Sequence, residues 1–280
     1  MTERREHKPK RKKKASKKSR FTAKTADKHV LYQLAVQAPE TEVDFLNGWF
    51  KKIRGKKPLS LREDFCGTAI LCAEWVKSSK DRTATGLDID RPTLDWGIEH
   101  NIEPIGDAAK RVKLLQRDVR ATVKEKHDII CAFNFSYWIF KTRDEMRAYF
   151  AKVRSGLAKG GLFFLDAYGG WESHQPMQEH RKIKAGFTYV WDQNTFDAIT
   201  HDVTNFIHFE FNDGTKLQKA FRYDWRFWGM PELQELLREA GFKKIHVYWD
   251  TSEDVNEDKY RIRTRAPNQP GWLAYLVAEG

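Results

Sequence analysis

Gly67 and Asp88, 21 residues apart, constrain what this chain can fold into more than any other pair of its residues. A short strand over 59–63 runs into the turn Phe65-Cys66-Gly67-Thr68, and a helical pattern follows from Ala69 to Ser79. Ile70, Leu71, Ala73, Trp75 and Val76 supply the buried side of that helix. A second strand, Thr83 to Asp88, ends on the aspartate. Strand, turn, helix and strand in this order specify a parallel α/β sheet, because parallel neighbours need a crossover between them. The glycine lets the backbone approach a ligand, and a carboxylate about 20 residues further on is placed to bind ribose hydroxyls.

The alternation continues downstream. Arg91-Pro92 opens the next helix, with proline suited to a first turn. Strand three reads as Val112 to Gln116 and ends near Asp118 and Val119. Strand four reads as His127 to Phe133 and runs into Asn134-Phe135-Ser136-Tyr137-Trp138. A helix over 143–157, the turn Lys159-Gly160-Gly161 and strand five over 162–165 bring the chain to Asp166. The pattern then changes to strands at 187–191, 203–211 and 217–225, with Asn212-Asp213-Gly214-Thr215 as a hairpin turn. A helix from Pro231 to Ala240, closed by Gly241, precedes two last strands, Lys244 to Trp249 and Trp272 to Ala278. Upstream, 29–53 reads as one or two helices interrupted at Pro39, with Leu31, Leu34, Ala35, Val43, Leu46 and Trp49 at helical spacing.

The stretch 57–170, and more loosely 228–280, resembles the class I S-adenosylmethionine (SAM) dependent methyltransferases. The likeness rests on Glu63 at the acidic place of the first motif, Cys66-Gly67-Thr68 in the turn, Asp88 closing strand two, and Leu157-x-Lys-Gly-Gly-Leu162 before strand five. It departs where the family has three glycines, since Phe65 and Ala69 stand at the outer two. The resemblance implies a Rossmann-like, mostly parallel seven-stranded sheet with helices on both faces. It also implies an antiparallel β insertion after strand five and an N-terminal helical lid. The expected organisation is a disordered basic tail over 1–28, the lid over 29–56, and the SAM-binding core over 57–170. The insertion over 171–228 would serve as substrate cover or dimer contact, and 229–280 completes the core.

SAM is the cofactor that the resemblance implies. Glu63, Phe65, Cys66, Gly67, Thr68, Asp88, Ile89, Asp118, Val119 and Asn134 then surround it, with Asp118 near the adenine amino group. Tyr137, Asn134 and Tyr32 fall at the reacting end, and Gln33 and Gln37 of the lid are further candidates to face it. Ligands of such sheets sit beyond the carboxyl ends of the strands, which points to Ser136, Asp166 and Tyr168 for the methyl acceptor. Trp191 and Arg226 of the insertion join them as substrate residues, together with Tyr189, Gln193, Arg222 and Tyr223. The loop Asn134-Phe135-Ser136-Tyr137 stands where amide-directed members have Asn-Pro-Pro-Tyr, but it lacks the prolines, so that chemistry is not implied. Methyl transfer is an in-line substitution that needs alignment and exclusion of water, not a metal. His174, His180, His201 and His208 have no metal-ligand spacing, and no metal site is expected.

The formal net charge of +11 is unevenly placed. Residues 1–28 carry 13 Lys+Arg against 3 Asp+Glu, so the remaining chain is close to neutral. Such a block offers phosphate contacts to RNA, the ribosome or another anionic surface, or a nuclear address in a eukaryotic cell. A solubilising tail without a specific partner has the same composition. No run of apolar residues is long enough for a membrane span, and no secretory signal is visible. Cys66, Cys72 and Cys131 fit a reduced, cytoplasmic setting. The leading expectation is methyl transfer to a small-molecule acceptor; the alternative is RNA or a ribosomal or other protein, docked by the tail. A nicotinamide-dependent oxidoreductase lacks its Gly-x-Gly-x-x-Gly here, and a non-catalytic SAM-fold module would not need the retained acidic residues. The open edge of the inserted sheet is available for pairing with a second copy.

Overall fold

A computed structural model describes residues 21–252 and 259–280; the basic block from Lys10 to Lys18 lies outside the described residues. Two helices come first, α1 (Lys28–Val36) and α2 (Pro39–Arg54), broken at Pro39 because the residue before a proline disfavours helix. The alternating part follows as β1 (Ser60–Asp64), α3 (Ile70–Lys77), β2 (Thr83–Asp88), α4 (Arg91–Gly97), β3 (Val112–Gln116), β4 (His127–Ala132), α5 (Arg143–Gly156) and β5 (Leu157–Gly169). The insertion contributes β6 (Met177–Ile183), β7 (Phe187–Phe196), β8 (Asp202–Phe211) and β9 (Lys216–Arg226). The chain closes with α6 (Met230–Glu239), β10 (Lys244–Asp250), β11 (Tyr260–Ile262) and β12 (Trp272–Glu279).

The main sheet has the order β11-β10-β12-β5-β4-β1-β2-β3. Its β1 to β5 pairs are parallel, while β12, β10 and β11 extend it antiparallel beyond β5. Eight strands replace the expected seven, because β11 is three residues long and too short to leave an alternating pattern. Successive strands run outward from β1 in one direction to β3 and in the other from β4 to β5. The carboxyl ends of β1 and β4 therefore flank the point where strand order reverses, where open α/β sheets bind ligands.

Both faces of this sheet are covered. On one face, Tyr149, Phe150 and Val153 of α5 and Leu233, Leu236 and Leu237 of α6 pack against Phe163 and Leu165. On the other, Leu46 and Phe50 of α2 and Leu71 and Trp75 of α3 pack against Ile129 and Phe164. Each such side chain, fully buried, contributes about 1.5–3 kcal/mol.

The insertion is a four-stranded antiparallel meander, β6-β7-β8-β9. Three of its strands are visible as alternating sequence. The fourth, β6, is not, because Gln178 to Lys182 are all exposed and leave no apolar alternation. Its inner face and the helix α1 share one core, in which Leu31 and Ala35 meet Phe187, Ile207, Phe209 and Phe211. The folded body also begins earlier than the expected end of the basic tail at residue 28. Phe21 is buried with its ring edge-on to Phe187 at 5.7 Å, the Ala23 N–H donates to Thr215 Oγ1 at 3.0 Å, and Asp27 caps α1. Charge counting assigned Lys24 and Lys28 to the tail, although the apolar residues around them pack on the insertion.

Candidate active site

The turn after β1 is built from three left-handed residues, Phe65 (φ 57°), Gly67 (φ 52°) and Ala69 (φ 55°). Only Gly67 takes that conformation freely; a non-glycine residue there costs on the order of 1–3 kcal/mol. The surroundings hold it. The Cys66 N–H donates to the Leu87 carbonyl at 2.9 Å, and the Gly67 N–H donates to Asp88 Oδ2 at 2.8 Å. The Phe65 ring packs between Phe140 and Tyr149, at centroid distances of 6.0 and 5.9 Å. Behind the turn, a Cβ on Gly97 would meet the Thr68 carbonyl oxygen at 2.4 Å, so only glycine lets α4 approach this closely. Both outer positions thus take left-handed backbone without glycine.

Asp88 ties this turn to the next helix. Its second oxygen accepts the Asp90 N–H at 2.9 Å. A carboxylate offers about four lone-pair sites, so two remain for a ligand. Glu63, at the end of β1, is buried and accepts from the Cys72 thiol at 3.1 Å and from the Cys72 backbone N–H, with no cationic partner among the described residues. Burial pushes its carboxyl up to about 8. A buried carboxyl without a cationic partner is costly to ionise, and a ligand ammonium would supply the missing charge. Ile89 is 65% exposed just beyond Asp88, an apolar surface open to a flat ring.

The adenine-side candidates are less free. Asp118 is held by Arg120 at 2.6 Å, and this hydrogen bond keeps its carboxyl below the usual range. Val119 is buried, and its carbonyl accepts from Arg62 at 2.9 Å. Arg62 in turn pairs with the buried Asp64 at 2.6 Å. The helix α1 meets the turn from the other side. Gln33 donates to Thr68 Oγ1 at 2.9 Å, and Trp96 donates its indole N–H to Asp27 at 2.7 Å. These bonds fix the start and the middle of α1 against the core.

The loop after β4 has two consecutive left-handed residues, Asn134 (φ 57°) and Phe135 (φ 58°). Their N–H groups point the same way and both donate to Asp166, at 2.7 and 3.0 Å. Asp166 is buried, and burial pushes its carboxyl up to about 7. This carboxylate, expected to touch substrate, clamps the loop. Tyr137, expected to be catalytic, is fully buried and donates its hydroxyl to the Asp166 carbonyl at 2.6 Å. Ser136 donates to the Phe133 carbonyl at 3.0 Å and closes the same turn. Arg226 lies over the Trp228 ring at 4.0 Å and bonds Lys141 and Glu232, so it braces the insertion against the core. Arg222 pairs with Asp224 on the outer face. Sequence position brought all of these near the site; only packing decides which way a side chain turns.

Asn134 and Phe135 line a cavity of about 770 Å³ between the main sheet and the insertion. Tyr32, Tyr168, Trp191 and Gln193 also line it, as do Tyr189 and Tyr223. Trp225, Trp272, Glu172, Glu179 and Arg181, not singled out in the sequence, are also part of the wall, as is His180. The two tryptophans carried a signal, alternation on strands that face one another, but nothing in the sequence marks Glu172 or Arg181 as facing inward. The cavity is rich in aromatic rings. Tyr168 stacks on Trp138 at 4.8 Å and meets Phe135 edge-on at 4.7 Å.

No protein-family model matches this chain, and no curated protein does. Solved structures do. A SAM-dependent methyltransferase from Clostridium acetobutylicum superposes with a TM-score of 0.68 at 16% identity, over 90% of this chain and 96% of that one. SAM-bound CalS10, an amino pentose methyltransferase from Micromonospora echinaspora, gives 0.64 at 14% identity, over 90% and 95%. The sugar N-methyltransferase KedS8 from Streptoalloteichus gives 0.61 at 14% identity, over 98% and 99%. The fold is that of the class I SAM-dependent methyltransferases. The coverage extends to the lid and the insertion, so the likeness takes in the methyltransferase core together with the parts that enclose its cavity. At these identities it is a likeness of fold.

Proposed function

We propose that this chain is a SAM-dependent methyltransferase acting on a small-molecule acceptor. One observation carries the reading. The turn Phe65–Ala69 with Asp88 and the aromatic cavity lie on either side of the strand-order reversal, and the Asn134-Phe135 loop stands where they meet. The residues fit SAM: Asp88 has free lone pairs for ribose hydroxyls, Ile89 is open to a flat ring, and Glu63 lacks a cation. SAM supplies an electrophilic methyl on a sulfonium. The chain's part is to hold it in line with the acceptor and keep water out. Tyr32 and Phe135 line the cavity beside that loop, where aromatic faces stabilise a cation.

The size of the cavity suits an acceptor of roughly 300–1,000 Å³ sites, which take small molecules and not a folded RNA. An amine nitrogen is the acceptor atom the lining favours. The carboxyls of Glu172 and Glu179 in the lining complement the charge of a protonated amine, whereas burial pushes the Tyr32, Tyr189 and Tyr223 hydroxyls up and both Asp166 oxygens are already bonded. An amine needs only to lose its ammonium proton. The amino pentose and sugar N-methyltransferases of the same fold support this choice.

The test is methyl transfer from SAM to a panel of amino sugars, simple amines and matched alcohols, read by mass spectrometry. The full chain and one lacking residues 1–20 are expected to methylate the same amines at rates within about threefold. A chain that modifies only RNA, or loses small-molecule activity without its tail, would sink the proposal. Truncation at residue 20 spares Phe21, which is part of the folded core.

Glu63 makes cofactor binding pH-dependent. Its carboxyl stands at about 8 in the fold against an ordinary 4.5, so the native state holds a proton that the unfolded chain releases. Its stabilising contribution is present below 4.5 and is lost as pH rises through about 8. A bound ammonium reverses this by favouring the carboxylate. Binding SAM at pH 7 is therefore expected to release up to about one proton. Calorimetry in buffers of different ionisation enthalpy measures it, and an enthalpy independent of buffer would refute the ammonium contact. A structural role for Tyr137, in place of a catalytic one, is tested by Tyr137→Phe. It is expected to cost about 1 kcal/mol in urea denaturation, the worth of one hydrogen bond, with methyl-transfer rates within about threefold of wild type. A loss of 100-fold or so would restore Tyr137 to the chemistry.

A further inference from the structure

A second cavity of about 630 Å³ lies between α6, β10 and residues 262–268. Its floor is apolar, made by Ile245, Val247 and Trp249 with Trp272, and the two indoles are 5.0 Å apart. Arg238 reaches it from the last turn of α6, and Arg263 and Arg265 from the chain that leaves β11. None of the three makes an ion pair or side-chain hydrogen bond with a described residue. Among the described residues, the lining holds no aspartate or glutamate, whereas the acceptor cavity holds Glu172 and Glu179. His246, the remaining basic group, is already taken by Glu279 at 2.7 Å.

Like charges gathered without a counter-charge among the described residues repel one another, and an oxyanion relieves that repulsion. Guanidinium groups match phosphate oxygens in pairs, and indole faces offer a flat ring a place to stack. Gln234, Thr264 and Asn268 add uncharged hydrogen-bonding groups around the rim. We infer that this groove is a second ligand site, for a small molecule that joins a phosphate to a planar ring, as a mononucleotide does. Trp272 is a wall of both cavities, so the two ligands lie on either side of one indole. The inference does not depend on the methyl-transfer reading, because it is tested by binding alone.

The experiment titrates the full chain with uridine 5′-monophosphate, uridine, inorganic phosphate and a short uridine oligonucleotide, by calorimetry at fixed salt. The same titrations use Arg263→Ala/Arg265→Ala, two exposed positions whose loss leaves the core intact. The monophosphate is expected to bind with a Kd below about 1 mM, and uridine and phosphate at least about tenfold more weakly. The double variant is expected to lose about tenfold or more for the monophosphate, with the same Tm and the same SAM affinity. Equal affinity in wild type and variant, no binding up to about 10 mM, or phosphate binding as well as the monophosphate would overturn the inference. An oligonucleotide that binds more tightly than the monophosphate and loses that advantage in the variant would overturn it too, by giving the groove to nucleic acid.

Discussion

Asp88→Ala is expected to weaken SAM binding by about 100-fold or more while leaving the chain folded. Two charge-assisted hydrogen bonds to ribose hydroxyls are worth about 1.5–3 kcal/mol each, and about 1.4 kcal/mol is a factor of ten. The same substitution removes the acceptor for the Gly67 and Asp90 N–H groups, at 2.8 and 2.9 Å, so the turn itself loosens. Both effects act on the cofactor. Calorimetry with SAM and S-adenosylhomocysteine measures the affinity, and a thermal melt checks folding. Affinity within about threefold of wild type would remove Asp88 from the site. Binding of NADH in place of SAM would move the protein to the oxidoreductases, whose ribose anchor has the same layout.

Asp166→Ala is expected to do its damage through the loop and not through substrate contact. The carboxylate satisfies the N–H groups of Asn134 and Phe135, both in the left-handed region. Leaving two part-buried donors without a partner costs about 1–3 kcal/mol each. The strain at two non-glycine residues, about 1–3 kcal/mol each, is then no longer offset. The loop escapes both costs by changing conformation, which carries Asn134 and Phe135 away from the cavity. Destabilisation of about 3–5 kcal/mol in urea denaturation is expected, with methyl transfer reduced by about 100-fold or more and the KM for the acceptor changed far less. Asp166→Asn keeps one acceptor oxygen for one N–H and is expected to fall between the two. Stability within about 1 kcal/mol and rates within about threefold for Asp166→Ala would show that the loop holds itself.

Much of the fold follows from local sequence. Alternating apolar strands and helices with one buried face set the parallel core, and the turn at Gly67 followed by Asp88 set the place where β1 meets β2. Elements that depend on neighbours for their burial escaped: β6 has no apolar alternation, β11 is too short for one, and residues 21–28 hide a buried Phe21 among lysines. The outer turn positions show the division at one site. Phe65 and Ala69 look unlike the glycines of related turns, yet they take the left-handed backbone because Asp88, Leu87 and the rings around Phe65 hold it.

The candidate site divides in the same way. Periodicity and motif order place Asp88, Asn134, Asp166, Tyr137 and Trp191 near one edge of the sheet, since chain order along a parallel sheet fixes which loops share that edge. Whether a side chain on such a loop faces ligand or core is a question of χ angles and neighbours. Asn134 and Trp191 face the cavity, while Tyr137 turns into the core and Asp166 turns onto the backbone beside it. The same limit hides Arg238, Arg263 and Arg265, which are separate surface arginines in the sequence and one basic rim in the fold. The sequence by itself determined which strands run parallel and where their ends gather, because those depend on local pattern and connection length. Only the tertiary structure decided which polar groups face the ligand, because a buried hydrogen bond to a distant residue outweighs any local preference of the side chain.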